Sequence, residues 1–238
     1  MVQTEPLIHD GPGGPFEGTL SRPDGDMATK RPAVLVVHAF GGQSDFDTQK
    51  AEALARLGYI GFAVDLYGRG KRAASPDEAR ALMHTLTEDR RVLRDRMLHV
   101  LSVLKAQPGV DAAKCAAIGF CMGGKAVLDL ARAGGAVQGV ASFHGVLDAP
   151  ALPAREIAAK VLLLHGWDDP IAKPQEVLSI AKELDAAKAD WELCAYGGTG
   201  HSFTNPAANA VHSGMAYHAQ SDARAWRRMT DFLAEIFT

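Results

Sequence analysis

The sequence alternates short apolar runs with longer amphipathic stretches along nearly its whole length. Apolar runs such as 33–37 and 161–164 have the composition of strands that are buried on both faces of a parallel sheet. The stretches between the runs repeat apolar residues at helical spacing. This alternation predicts an α/β fold, in which a mostly parallel central sheet carries helices on both faces. Ligands of such folds bind beyond the carboxyl ends of the strands.

Gly and Pro residues dominate the first thirty positions, where the alternating segment 16–21 predicts an antiparallel hairpin or edge strands. The boundaries of later elements follow from apolar runs, capping residues and Pro or Gly breaks. Strands are predicted at 33–38, 60–65, 114–119, 139–143, 160–165 and 191–195, and helices at 46–57, 75–107 (one or two helices), 122–132, 174–187 and 215–237.

Length and composition indicate a globular protein of modest size. The 238 residues, 47% hydrophobic and 22% charged, suit one α/β domain that covers 1–238. A formal net charge of −3 and the lack of a dense basic patch argue against a nucleic-acid partner. The apolar runs are too short to cross a membrane. A monomer and a homodimer are both compatible with the sequence.

Residues 1–10 have neither a basic start nor an apolar stretch, so we expect no signal peptide and a cytoplasmic location. Three cysteines without metal-ligand spacing predict neither a disulfide framework nor a zinc site. We expect no metal and no organic cofactor. A cysteine with a special role is therefore expected to be special for its reactivity.

Cys121 stands in a pattern that is typical of a nucleophile. The strand 115–118 runs into Gly119-Phe-Cys-Met-Gly-Gly124 and then into a helix. In a nucleophile elbow the flanking residues must be small, because strand and helix backbones approach closely there. The helix N-terminus would favour a thiolate. The alternative is that Cys121 is a small buried core residue, as we expect for Cys115 and Cys194.

A thiol nucleophile needs a base, and the base needs an orienting carboxylate. The strand that ends at His165 leads into Gly166-Trp-Asp-Asp-Pro170, which offers two carboxylates. Asp169 is the preferred acid because it stands third after the turn glycine, whereas Asp168 is expected to cap the following turn.

His201 is the predicted base, because it follows the acid in chain order and lies in a Gly-rich loop after a strand. His38 and His165 are expected to be hydrogen-bonding supports near the site, and His144 could line the substrate pocket. Backbone N–H groups of Met122, after the nucleophile, and Phe40, after the first buried strand, are predicted to form the oxyanion hole.

Four segments resemble the dienelactone hydrolase family of α/β-hydrolases. They are His38-Ala-Phe-Gly-Gly42, Asp65-Leu-Tyr-Gly-Arg69, Gly119-Phe-Cys-Met-Gly-Gly124 and Gly200-His-Ser-Phe203, and the resemblance extends from about Phe16 onward. It implies an α/β-hydrolase fold, a triad of Cys121, Asp169 and His201, and hydrolysis of a carboxylate-bearing lactone without metal or organic cofactor. The predicted substrate is a small ester or lactone.

The sequence departs from the family pattern at two positions. Family lactonases grip the substrate carboxylate with two arginines; Arg69 resembles the first, but Asn205 occupies the second and cannot form a charge-assisted pair. Ala39 replaces a glutamate that contacts the resting thiol. Neutral esters therefore become plausible, and we expect His201 to engage Cys121 without substrate. Trp167, Phe203, Arg69, Asn205 and His144 are the predicted substrate contacts.

Other readings of the same residues stay open. The same triad could serve a general carboxylesterase, a thioesterase or a promiscuous phosphoester hydrolase. A non-catalytic binding protein with a hydrolase fold is the alternative outside enzymes, and it predicts no turnover. A metal-dependent hydrolase is disfavoured because His165, Asp168 and Asp169 are too close in sequence for an open three-ligand site.

Overall fold

The computed structural model describes residues 1–25, 28–153 and 156–238. An eight-stranded sheet has the strand order β1-β2-β4-β3-β5-β6-β7-β8. The pairs β3/β4, β6/β7 and β7/β8 are parallel, whereas β1/β2 and β2/β4 are antiparallel. The predicted α/β fold with a mostly parallel sheet is confirmed. The strands are β1 (Val2–His9), β2 (Phe16–Pro23), β3 (Arg31–Val37), β4 (Ile60–Val64), β5 (Val110–Phe120), β6 (Gly139–Phe143), β7 (Lys160–Gly166) and β8 (Trp191–Tyr196).

Helices follow most of the parallel strands. They are α1 (Asp45–Arg56), α2 (Pro76–Thr87), α3 (Arg90–Lys105), α4 (Met122–Arg132), α5 (Pro174–Ala186) and α6 (Ala219–Ile236). The chain forms two compact units, Met1–Ile118 and Gly119–Thr238. In the first, α1 packs on β2, β3 and β4, and α3 packs on β3; in the second, α4 packs on β6, and α6 packs on β6 and β7. The assignment of 1–238 to a single domain stays a prediction.

The sequence located most elements closely, and α4 and β6 have the predicted ends. The predicted hairpin near the N-terminus is confirmed, since β1 and β2 pair antiparallel along their full length. The segment 75–107 forms two helices. The second begins after Asp89, whose carboxylate accepts a hydrogen bond from the Arg91 amide and so caps the new helix.

The predicted start of the last helix, at Met215, is wrong. Met215–Ala216 forms a short strand, β10, that pairs antiparallel with β9 (Asn209–Ala210). The helix α6 begins at Ala219, where the His218 side chain accepts a hydrogen bond from the Ser221 amide. With 18 residues it is the longest described helix. Within residues 1–25, 28–153 and 156–238, no helix is long and apolar enough to span a membrane.

The turn between β5 and α4 requires glycine. A Cβ added at Gly119 would overlap the carbonyl group of Gly123, which belongs to the backbone of the first helical turn. A Cβ at Gly124 would lie 2.6 Å from Ser142 Oγ and 2.7 Å from Gly145 Cα. Backbone atoms cannot move aside as a flexible side chain can. The close approach of β5 to α4 therefore requires glycine at 119, and the close approach of α4 to Ser142 and Gly145 requires glycine at 124.

Gly119→Ala should destabilise the protein by about 3 kcal/mol, because the new methyl group meets backbone and not a movable side chain. Gly197→Ala is the matched control, since a Cβ at Gly197 has no atom within 4 Å. We expect the control to change the free energy of unfolding by less than about 1 kcal/mol. Chemical denaturation of both variants measures the difference, and equal stabilities would contradict the close approach.

Candidate active site

Cys121 occupies the turn between β5 and α4 in a backbone conformation that few non-glycine residues adopt. Its φ is 54° and its ψ is −113°. Its amide donates a hydrogen bond to the Phe143 carbonyl (3.0 Å), and its own carbonyl accepts one from the Lys125 amide (3.3 Å). A conformation of this kind costs about 1–3 kcal/mol and persists where the surrounding structure enforces it. The thiol is 8% exposed.

His201 and Asp169 form a buried pair. His201 Nδ1 lies 2.7 Å from Asp169 Oδ2, and the two residues are 1% and 3% exposed. The other carboxylate oxygen, Oδ1, accepts hydrogen bonds from the amides of Ile171 (2.7 Å) and Ala172 (3.1 Å). The Asp169 carboxylate is therefore held by its own loop as well as by the imidazole.

The neighbouring carboxylate does not share this environment. Asp168 is exposed, and the amides at the start of the following turn donate to Asp169. The expectation that Asp168 caps this turn is wrong: Asp169 caps the turn and also contacts His201. Oδ1 of Asp169 accepts the hydrogen bonds that cap the turn, and Oδ2 contacts His201, so the two interactions use different oxygens.

The surroundings of His201 favour its protonated form. Burial by itself lowers the pKa of His201, but the hydrogen bond to Asp169 and the interaction with Cys121 outweigh it, so that the pKa is raised. The backbone amide of His201 donates to the Gly214 carbonyl at 2.8 Å. Among the described residues, Nε2 makes no hydrogen bond of ordinary geometry. This nitrogen is left for the thiol or a leaving group.

Two of the predicted substrate contacts, His144 and Phe203, are buried and pack near the His201 ring. The His144 ring stands 5.0 Å from the His201 ring and 5.2 Å from the Phe203 ring, in edge-to-face arrangements. His144 is 2% exposed and Phe203 is fully buried. A substrate would therefore have to open this packing to reach either side chain.

The other three predicted substrate contacts are exposed. Trp167 is 47% exposed on the loop that carries Asp169. Asn205 Oδ1 accepts a hydrogen bond from the Ala207 amide at 3.0 Å, which engages the side chain with its own turn. Arg69 belongs to the first unit, where its Nε donates to Glu17 Oε2 at 2.8 Å. Contact of these residues with substrate stays a prediction.

The two predicted oxyanion-hole donors lie in different units of the chain. Met122 is fully buried and is the first residue of α4, where amides have no acceptor within the helix. Phe40 follows β3, and its carbonyl accepts a hydrogen bond from the Tyr67 hydroxyl at 2.8 Å. Both backbones are thus held by regular structure or hydrogen bonds. Their joint role stays a prediction.

Of the two predicted histidine supports, only one forms hydrogen bonds as expected. His38 Nε2 accepts from the Leu66 amide at 3.2 Å, and its Nδ1 lies 2.6 Å from the Ala39 carbonyl. His165 is 3% exposed, and neither ring nitrogen has a hydrogen-bond partner among the described residues. Burial lowers the pKa of His165, with Asp169 acting in the opposite direction. Nothing in the sequence distinguished the two environments.

Positive φ angles concentrate around His201. The non-glycine residues of the described ranges with positive φ are Cys121, His144, Lys188 and Ser202. Of these, Ser202 adjoins His201 in sequence, and the rings of His144 and His201 are in contact. Unusual backbone of this kind collects at functional sites. Within the described ranges, no group of three His, Cys, Asp or Glu side chains could hold a metal ion.

Comparison with known proteins identifies the family of the chain. A family model described as the dienelactone hydrolase family matches residues 16–237. The chain is similar to the solved structure of m3DLH, with 34% identity and a TM-score of 0.94 over 100% of this chain and 99% of that one. It is also similar to the dienelactone hydrolase-like promiscuous phosphotriesterase P91 from metagenomic libraries, with 31% identity, a TM-score of 0.92 and the same coverage.

A curated relative extends the likeness. The chain is 29% identical to a Yersinia pestis protein provisionally named carboxymethylenebutenolidase, over 86% of this chain and 78% of the relative. The chain thus has the fold of the α/β-hydrolases and is a hydrolase that acts on ester bonds. Within that class it belongs to the dienelactone hydrolase family.

The raised pKa of His201 gives a prediction for its titration. We expect the imidazole to titrate above 6.5, so that it stabilises the folded state below pH 6.5 and loses this contribution as the pH rises through its folded-state pKa. Asp169→Asn should lower the midpoint, because it removes the largest interaction that raises the pKa. NMR of labelled histidine measures both, with Asp168→Asn as control. A midpoint at or below 6.5 in the wild type would contradict the assignment.

Proposed function

We propose that the protein hydrolyses a small ester or lactone with Cys121 as nucleophile, His201 as general base and acid, and Asp169 as the orienting carboxylate. The observation that carries the proposal is the buried His201–Asp169 pair at 2.7 Å, whose histidine also interacts with Cys121. Chain order agrees with that of α/β-hydrolases, in which nucleophile, acid and base follow one another.

In the first half of the proposed reaction, the proton of the Cys121 thiol passes to His201 Nε2, which gives the imidazolium form that the site favours, and the sulfur attacks the substrate carbonyl carbon. A C–S bond forms while the carbonyl π electrons move onto oxygen. Collapse of this tetrahedral intermediate breaks the C–O bond, and the departing alkoxide takes the proton from His201. The product is a thioester, to which the freed alcohol stays tethered if the substrate was a lactone.

In the second half, His201 removes a proton from water, and the hydroxide attacks the thioester carbonyl. The C–S bond breaks, the carboxylic acid leaves, and His201 returns the proton to sulfur. Asp169 accepts the Nδ1 hydrogen bond throughout. This bond holds the imidazole in the tautomer that presents Nε2 to the thiol and stabilises the imidazolium form.

The developing oxyanion needs donors, and the amide of Met122 at the start of α4 is the proposed first one. Donors of this kind are each worth about 10²- to 10³-fold in rate. The strained conformation of Cys121 presents the N-terminus of α4 beside the sulfur, which supports this role. The Phe40 amide is the proposed second donor.

Small neutral esters and lactones are the proposed substrate class. Asn205 cannot supply a cationic clamp, and its carbonyl oxygen is engaged by Ala207. Arg69 is already paired with Glu17, although both side chains are about half exposed and could exchange partners. Trp167 offers an exposed aromatic surface on the acid loop. We further propose a cytoplasmic enzyme that acts as a monomer or homodimer.

Phosphotriester hydrolysis is a second candidate activity. The likeness to P91, which is described as a promiscuous phosphotriesterase, favours it. The same thiolate would attack phosphorus and displace an aryloxide, and water would then release the phosphodiester from sulfur. General carboxylesterase and thioesterase activities would use the same residues and differ only in the acyl and leaving groups.

The proposal predicts that wild type turns over p-nitrophenyl acetate, p-nitrophenyl butyrate and a neutral lactone, whereas Cys121→Ala loses at least about 10³-fold in kcat. Cys115→Ala is the matched control, because Cys115 is a buried free cysteine in β5, the strand that precedes Cys121, and it should keep wild-type kcat. A carboxylate-bearing lactone and diethyl p-nitrophenyl phosphate complete the panel. Their kcat/KM relative to the neutral lactone ranks the substrate classes.

The acid is tested in the same assay. Asp169→Asn should lower kcat by about 10²- to 10⁴-fold, as expected when the carboxylate that fixes the histidine tautomer is lost. Asp168→Asn should leave kcat within about threefold of wild type. Equal activity of Cys121→Ala and wild type, or an inert wild type with every substrate, would contradict the proposed function.

A further inference from the structure

His144 lies directly after β6, on the segment that faces His201. Its φ is 37°, and its backbone amide donates a hydrogen bond to the Leu164 carbonyl of β7 at 2.8 Å. The preceding carbonyl, that of Phe143, accepts the amide hydrogen bond of Cys121. The backbone at this corner is thus fixed to β7 on one side and to the turn of Cys121 on the other.

The side chain of His144 contacts the loop of His201 at three points. Its ring packs edge-to-face on His201 (5.0 Å, 67°) and on Phe203 (5.2 Å, 78°). Its Nε2 shares a hydrogen bond of 2.8 Å with Thr204 Oγ1. One side chain therefore holds three of the four consecutive residues 201–204, and all three are at most 1% exposed.

We propose that His144 is a positioning residue that holds the His201 imidazole in line with Cys121. This proposal rests on the proposed function of His201. The proposed base stands in a loop with glycines at 197, 198 and 200, and only the short strands β9 and β10 and a three-residue 3-10 helix lie between it and α6. Asp169 fixes Nδ1 and the Gly214 carbonyl fixes the backbone amide, but neither contacts the face of the ring.

The observations favour positioning over a contact with substrate. His144 is 2% exposed, and its Nε2 is already engaged by Thr204. They also favour it over simple filling of space. An apolar side chain would fill the same volume without the hydrogen bond, and a left-handed backbone conformation is retained at a non-glycine position only where the surroundings enforce it.

Several side chains besides His144 surround the His201 ring and affect its charge. Asp169 and Cys121 act on the His201 charge directly, and His165 acts on it from the end of β7. The role assigned to His144 is geometric: it limits the rotation of a ring whose Nε2 must point at sulfur. Misplacement of a catalytic group by about 1 Å can cost about 10²-fold in rate.

The test uses two substitutions at His144. Asn tolerates the left-handed backbone conformation but has no ring, so His144→Asn removes the packing on His201 without straining the turn. His144→Phe keeps a ring of similar size and loses the hydrogen bond to Thr204. His212→Asn is the matched control at an exposed histidine of the same unit.

We expect His144→Asn to lower kcat for p-nitrophenyl acetate by about 10²-fold while KM stays within about threefold. The rate of alkylation of Cys121 by iodoacetamide at pH 7 should fall by about tenfold, because His201 no longer engages the thiol. His212→Asn should match wild type in all three measurements. A merely structural role would lower the unfolding temperature and leave the alkylation rate of the folded protein at pH 7 unchanged.

Substitutions at Thr204 complete the test if His144→Asn fails to fold. Thr204→Val keeps the shape and removes the hydroxyl, whereas Thr204→Ser keeps the hydroxyl. We expect Thr204→Val to lower kcat and Thr204→Ser to keep it at the wild-type value. The double variant with His144→Phe and Thr204→Val should have a kcat no lower than that of either single variant, because both substitutions remove the same hydrogen bond. Wild-type kcat and alkylation in all these variants, or a change confined to KM, would overturn the proposal. Since alkylation needs no substrate, it tests His144 even if no ester is hydrolysed.

Discussion

The buried hydrogen bond between His201 Nδ1 and Asp169 Oδ2 is the interaction on which the whole site depends. Both residues come from loops, and neither loop is part of the sheet. Asp169 is held by the Ile171 and Ala172 amides, and His201 by the Gly214 carbonyl. In an environment with little water, a charge-assisted hydrogen bond is stronger than at the surface, and an unpaired partner would be costly. The pair therefore fixes both loops as well as the proton of the imidazole.

The fold supplies the other half of the site through the turn at Cys121. Gly119 lets β5 approach the Gly123 carbonyl of α4 closely, and Cys121 between them adopts a strained conformation. The sulfur is thereby placed at the start of a helix, where amide groups are free of intrahelical partners. In the proposed reaction, acyl transfer would use both features: a thiol on a rigid turn and an imidazole on a loop that is held in place.

Sequence patterns predicted those features that depend on local chemistry. Apolar runs and glycines located α4 and β6 to the residue, and the turn at Cys121 followed from Gly119 and Gly123. Chain order predicted His201 and spacing favoured Asp169 over Asp168; the two side chains are in contact, and their catalytic roles stay a prediction. The start of α6 was misplaced because β9 and β10 have only two residues each, which is too short for an alternating pattern to appear in the sequence.

Other parts of the site depend on contacts between residues far apart in the chain. Nothing in the sequence indicates that Glu17 pairs with Arg69, or that His144 contacts Thr204 sixty residues later. For the same reason the prediction that His165 is a hydrogen-bonding support did not describe its surroundings. Such contacts arise from tertiary packing. Sequence motifs identify reactive residues, but they do not indicate which distant residues pack against them.

The central claim is that Cys121 forms a covalent thioester during turnover. The most direct measurement is to mix the enzyme with p-nitrophenyl acetate, quench with acid before the steady state, and locate acetyl groups by mass spectrometry of the peptides. The account predicts one acetyl group, on the peptide that contains Cys121, and none on the peptide that contains Cys115. An enzyme that turns over the ester while Cys121 stays unmodified, or that carries the acetyl group elsewhere, would contradict it.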